Sequence, residues 1–217
     1  MLAVTTLKPM LAMSTSKTVQ RDAYHHGDLR RGLIAVASQI VASKGPAAVS
    51  LREVARLAGV SHNAPYRHFE SRDELLFAVA AQGFRELGRQ LKAAAEGEPS
   101  FEQLRAHGRA YLRFALANRG LYLLMFGADI DKAKSQELEE ASRTAFAELE
   151  AGIAARGLFD PVASATAAWA FVHGLAHLII DRQVELTKSE IDSVFAATAD
   201  VFIRMPAPPK KRASTKR

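Results

Sequence analysis

The sequence contains no cysteine in its 217 residues. That absence excludes a disulfide framework, thiol catalysis and a zinc site built on thiolates, and it suits a reducing compartment. Aromatic residues are scarce at 7%, with a single tryptophan. Scarce aromatics and plentiful alanine favour helix over strand. No convincing strand pattern, glycine-rich phosphate loop, G-x-S-x-G or H-E-x-x-H motif is present. No internal repeat is evident. The opening "MLAVTTLKPMLAMS" is broken by Lys8 and Pro9, so it does not read as a signal peptide. What the chain does have is 48% hydrophobic residues, enough for a substantial core.

Charge is unevenly spread. The net +6 comes from a basic front and tail around an acidic body: residues 21–92 hold 11 basic and 7 acidic side chains, residues 93–205 hold 11 and 16, and the last twelve hold five cations and no acid. A basic front part on an acidic body suits contact with a polyanion. The ends lack apolar periodicity. Residues 1–20 and the tail "PAPPKKRASTKR", residues 206–217, are expected to be disordered. The expected domains are residues 21–92 and 93–205, with "EGEPS" at 96–100 breaking the pattern between them.

Between the tails the periodicity is helical almost throughout. Asp28 can cap a first helix whose stripe is Leu29, Leu33, Val36, Ala37, Ile40 and Val41, stopped by Gly45-Pro46. Ser50-Leu51-Arg52-Glu53 is a capping box opening a short second helix. Ser61 can cap a third, ending near Phe69. Ser71-Arg72-Asp73-Glu74 is a second capping box before a long helix carrying Leu75, Leu76, Val79, Phe84, Leu87 and Leu91. Further helices are expected near 101–117, 119–126, 135–156, 161–186 and 189–204, so the fold class is all-α.

"AGVSHNAPYRHF", residues 58–69, crowds hydrogen-bonding side chains onto one short stretch after a Gly-Val turn. A helix, a tight glycine turn and a second short helix form a helix-turn-helix, whose second element enters the DNA major groove. Its outer face would offer His62, Asn63, Tyr66 and Arg67 to base edges, with Asn suited to adenine and Arg to guanine. Ser61 and Ala64 begin that element. Tyr66, His68, Arg52 and the helix start at Ser71 suit phosphates, as does the helix start at Ser50. Phe69 should plug the core. Pro65 lacks an N–H, so a slightly irregular first turn is expected.

Residues 27–84, "GDLRRGLIAVASQIVASKGPAAVSLREVARLAGVSHNAPYRHFESRDELLFAVAAQGF", resemble the tetracycline-repressor-like (TetR) family of bacterial regulators. Tyr66-x-His68-Phe69 followed by Ser71-x-Asp73-Glu74-Leu75 is the most recognisable part. Many members carry Gly and an aliphatic residue where this chain has Asn63 and Pro65. The resemblance implies a cytoplasmic, nucleoid-associated homodimer that binds a palindromic operator through its N-terminal domain. It also implies a C-terminal pocket for a small apolar or aromatic effector, whose binding changes the spacing of the two reading heads and releases DNA. A transcriptional repressor, not an enzyme, with no cofactor, is what such a protein would be.

The C-terminal half has one informative run. Residues 163–180 contain no Asp, Glu, Lys or Arg, but six alanines and two histidines. A transmembrane helix needs about 20 apolar residues; the small residues fit better a helix buried against a partner, and a dimer seam of 161–186 with 189–204 is expected. Trp169-x-x-x-His173-Gly174 resembles a Trp-His-Gly signature of one branch of the family. His173 and His177 share a helical face at metal-ligand spacing, the basis of an alternative reading as an all-helical metal-dependent enzyme. Core or interface histidines are the plainer account, and no metal is expected. Tyr111, Phe114, Tyr122, Met125, Phe126, Phe146, Trp169 and Phe171, with His173, are the candidates to line the effector pocket.

Overall fold

The computed structural model describes residues 26–98, 100–128, 130–154, 161–187, 189–194 and 196–197. Both expected tails lie outside the described residues, as does part of the helix expected at 189–204. Among the described residues there is helix and no strand: α1 (His26–Lys44), α2 (Leu51–Leu57), α3 (Arg72–Ala95), α4 (Ser100–Ala117), α5 (Arg119–Phe126), α6 (Gln136–Ala154) and α7 (Pro161–Ile180). Residues 189–194 are helical again.

Local chemistry sets the ends. Ser50 Oγ accepts from Glu53 N–H at 3.2 Å to cap α2, and Ser71 Oγ accepts from Glu74 N–H at 3.1 Å to cap α3. Each box closes only in part, because Glu53 turns to Arg56 and Glu74 reaches the amide of Glu70 instead of the cap residue. α1 starts at His26, so Asp28 lies inside its first turn and is not the cap. Gly59, at φ 68°, closes α2: its N–H donates to Arg56 C=O and that of Val60 to Ala55 C=O, a pairing that requires a left-handed residue between.

The third expected helix is the main departure. Residues 61–64 form a turn, and only Pro65–Arg67 is helical, as a single 3-10 turn. Most of the bonds in this stretch span three residues, as from Ala64 N–H to Ser61 C=O, Arg67 N–H to Ala64 C=O and His68 N–H to Pro65 C=O, and only Phe69 N–H to Pro65 C=O spans four. Pro65 is the reason. It has no N–H to return to Ser61, so that α-type bond is lost although Ala64 before it is right-handed helical at φ −60°, ψ −41°.

One apolar cluster runs from Leu33 to Ile180. α3 is its spine, burying Leu75, Val79, Phe84, Leu87 and Leu91. Phe69, 1% exposed, plugs it beside α1. α6 lies close along α3, where a Cβ on Gly88 would stand 3.3 Å from the Ala145 Cα. α5 lies closer still on α1, since a Cβ on Gly120 would run into the Val41 carbonyl oxygen. α7 inserts Val172, Leu175, Ala176 and Ile180. A smaller cluster of Leu149, Ile153 and Ala165 adjoins it.

α7 ends six residues before the expected limit. Gln183 N–H bonds back to Leu178 C=O and Arg182 N–H to Ile179 C=O, with Arg182 left-handed at φ 55°.

Candidate nucleic-acid interface and ligand cavity

The reading surface starts from α2. Its inner face buries Leu51, Val54 and Ala55, which leaves Arg52 outside. After the Gly59 turn, Ser61, His62 and Asn63 are exposed, as are Tyr66 (50%) and Arg67, while Pro65 and Phe69 point inward. Ala64 and His68 are half-buried, and His68 Nε2 has no partner and no contact with solvent. Ser50 and Ser71 are exposed at two helix starts, with their hydroxyls already used in capping. The ten residues expected at DNA therefore fall on one short run, the two caps beside it and, for Arg52, the outer face of α2. The side chains best suited to base edges, Asn63 and Arg67, face outward.

Ion pairing sorts the cations of this region. Arg56 is held by Glu53 at 2.7 Å, and that carboxylate lies below its ordinary pKa because of the guanidinium hydrogen bond. Arg72 donates to the carbonyls of Val49 (2.9 Å) and Pro46 (2.8 Å), clamping the α1–α2 connection onto the start of α3. This scaffold role was not legible, since backbone carbonyls leave no mark in a sequence. Arg52 and Arg67 make no ion pair among the described residues.

A cavity of about 270 Å³ lies among α3, α4, α6 and α7. Of the expected lining residues, Tyr111, Phe126, Phe146, Trp169 and Phe171 border it. Tyr122 and His173 stand behind that wall: the hydroxyls of Tyr111 and Tyr122 lie 2.8 and 2.7 Å from the same nitrogen, His173 Nδ1, and Trp169 Nε1–H donates to the Tyr111 oxygen at 3.2 Å. Phe114 and Met125, also expected on the wall, lie off it in the core. Met125 is drawn away because its sulfur occupies the space that Gly83 leaves on α3.

Several wall residues were not anticipated. Phe84, Leu87 and Leu91 were visible as a helical stripe but counted as plain core. His107 lies one turn before Tyr111, a lone polar side chain on the buried face of α4, and that was a usable signal. Lys132 and Arg143 complete the wall, and neither position carried one.

Burial governs the electrostatics. It pushes the Tyr111 phenol up to about 12 and raises that of Tyr122 as well. Burial, with the nearby His177 and Lys132, lowers His173 to about 4. His173 is thus neutral near pH 7, and its Nδ1 lone pair accepts from the phenols. His107 and Lys132 are lowered by burial too. The His173 and His177 rings stand 4.6 Å apart, but Nδ1 of the first is taken by the tyrosines and Nδ1 of the second faces Asp181 at 3.6 Å.

The profile described as "Tetracyclin repressor-like, C-terminal domain" matches residues 104–202, and that of "Bacterial regulatory proteins, tetR family" matches residues 33–79. The chain is 32% identical over 89 residues to the HTH-type transcriptional repressor Rv3405c of Mycobacterium tuberculosis, covering 41% of this chain and 47% of that one. It thus spans about half the length of the curated relatives it matches. A solved structure of a protein of unknown function from Rhodococcus sp. RHA1 is 34% identical with a TM-score of 0.75, covering 85% of this chain and 98% of that one. The regulator PfmR from Thermus thermophilus, at 20% identity and a TM-score of 0.59 over 79% of this chain and 97% of its own, shares the fold.

Proposed function

The chain belongs to the TetR family of bacterial regulators, and from that premise we propose that it is a sequence-specific transcriptional repressor, released from its operator when a small apolar or aromatic molecule fills the cavity. The observation that carries this reading is the outward set Asn63, Tyr66 and Arg67, mounted on a turn that Phe69 and Arg72 fix to the spine of the protein. Residues 21–92 form the reading domain and residues 93–205 the ligand and dimer domain. α3 belongs to both, so a change at the cavity wall near Phe84 has a rigid route to the reader.

Asn63 and Arg67 read bases, in bidentate fashion where the sequence offers adenine and guanine. Arg52, Tyr66 and His68, with the helix starts at Ser50 and Ser71, hold phosphates and set the register. His62, Ser61 and Ala64 complete the contact surface. The protein acts inside the cell, where its operator is, as a two-fold dimer on a palindrome.

α7 is the seam. By length and composition Val162–Ile180 would also cross a membrane. One face, however, is packed into the main core, and its His173 is hydrogen-bonded to two tyrosines. A second copy of the same helix therefore suits the other face better than lipid does.

Fluorescence anisotropy on the chain's own upstream region tests the reading. Arg67→Ala should lose about 1–3 kcal/mol of specific affinity and relax the preference at one position, with the melting temperature unchanged. Equal binding of the unaltered protein to palindromic and scrambled DNA would overturn it.

A further inference from the structure

Resting on the reading of the cavity as a ligand site, we propose that its ligand is a carboxylate-headed amphiphile: an apolar body lying along α3, with a single carboxylate at Lys132.

The wall is apolar where a body would lie. Phe84, Leu87 and Leu91 face it from three successive steps of α3, with Leu104 and Leu149 opposite. From Phe84 to Leu91 the helix rises about 10 Å, room for a short acyl or arylalkyl chain. The volume of about 270 Å³ lies just below the range for drug-sized ligands, roughly 300–1,000 Å³, and suits a smaller molecule. Among the described residues, no Asp or Glu lines the cavity.

Its charge is one-sided and nearly single. The Lys132 ammonium stands 4.7 Å from the centroid of the Phe84 ring and 5.6 Å from that of Phe126, so two wall residues hold the cation at the cavity. Ring faces attract a cation but do not neutralise it. The described carboxylates nearest in the chain are engaged elsewhere: Asp131 accepts from the amide of Ala133 and faces Lys134, and Glu137 binds Arg30 and Arg85. Arg143, the other basic side chain on the wall, is paired with Glu139 at 3.0 Å. His107 adds no charge, because its 97% burial keeps the ring neutral near pH 7.

A partly desolvated cation with no counter-ion among the described residues is costly, and its lowered pKa reflects that cost. An entering carboxylate would relieve it through a charge-assisted hydrogen bond. One unpartnered cation balances one negative charge, which selects a carboxylate over the dianion of a phosphate monoester.

Trp169 lines the cavity and is the sole tryptophan of the sequence, so its fluorescence reports occupancy. Two matched pairs serve as probes: octanoate with 1-octanol, and 4-phenylbutyrate with 4-phenyl-1-butanol. At pH 7.5 the acids should bind about tenfold or more tightly than their alcohols, the effect of one charge-assisted hydrogen bond. In Lys132→Met that ratio should fall to about one, with the alcohols' affinity kept within about twofold. Acids and alcohols that bind the unaltered protein equally would overturn the assignment of charge while the cavity remains a ligand site; that comparison needs no variant to fold. A ratio that survives Lys132→Met would place the anion elsewhere and overturn the role of Lys132. If none of the four perturbs Trp169, the cavity reading itself falls.

Discussion

Two phenol oxygens within 2.8 Å of a single imidazole nitrogen tie His173 into a buried polar network. One phenol donates into the Nδ1 lone pair while the other turns to its neighbour, the two oxygens being 3.4 Å apart. Protonating Nδ1 would remove the acceptor on which that donation depends, so burial and the network act in the same direction on the pKa. The sign of the pH effect follows. Unfolded, the imidazole takes up a proton below its ordinary pKa of about 6.5; folded, it resists until about pH 4. The stability it contributes is complete above pH 6.5 and is lost as pH falls from 6.5 towards 4. His173 is only half-buried, so the loss is discounted for solvent screening to about 1 kcal/mol. His173→Gln keeps an acceptor oxygen and cannot titrate. Thermal melts between pH 7 and 4.5 should therefore fall less in the variant than in the parent, by about 2–4 °C for a chain of this size. Parallel pH profiles for the two proteins would refute the account.

At the scale of elements, the regular helices were legible because they bury a stripe at helical spacing and carry their own stop signals. The 119–126 helix lies where the pattern puts it, and the capping serines at Ser50 and Ser71 bond as their types suggest. What escaped was governed by single backbone features. Pro65 turns the expected reader helix into a turn and one 3-10 step, and the left-handed Arg182 stops α7 at Ile180, where the apolar run gives way to Asp181, Arg182 and Gln183. The cavity was half legible. Aromatics on α4, α6 and α7 pointed to it, but whether Phe114 or Met125 reaches the wall depends on how neighbouring helices rotate and on a gap left by Gly83. Lys132 lies in a 3-10 turn, where no periodicity marks a facing side. Arg182 permits a check at this scale. It holds the position after the helix that glycine usually takes, and a side chain there costs about 1 kcal/mol. Arg182→Gly should raise stability by up to about 1 kcal/mol in urea unfolding, part of the gain being offset by the looser unfolded chain. A clear loss would show that Arg182 makes contacts outweighing its backbone strain.

For the whole molecule, the question is what makes reader and cavity one mechanical unit and what would join two such units in the proposed dimer. Glu137 of α6 binds Arg30 of α1 at 2.8 Å and Arg85 of α3 at 3.1 Å, and the Arg30 guanidinium also lies over the Phe69 ring at 5.3 Å. These partly exposed pairs add little stability, about 0.2–1 kcal/mol each, but they join the plug of the reader to the helix that walls the cavity. α5 is pressed onto α1 at Gly120, a second link. Neither link joins two copies. The surface we propose for that is the outer face of α7, where Val162, Thr166, Ala167, Ala170 and Leu178 are exposed at helical spacing and a Cβ on Gly174 would meet nothing within 4 Å. A 20-residue helix is about 30 Å long, and an uncharged face of that length with small residues lets a second helix approach closely enough to bury the roughly 1,000 Å² a stable interface needs. Ala170→Glu puts an unpaired carboxylate at the middle of that face. It would stand near its own two-fold copy, adding like-charge repulsion to desolvation. Sedimentation equilibrium should then give half the parent's mass, with circular dichroism and the melting of the separate chain little changed, because Ala170 faces away from the core. Affinity for a full palindrome should drop towards that for one half-site. A variant that still sediments as a dimer would place the seam on another helix and leave the open face of α7 without its partner.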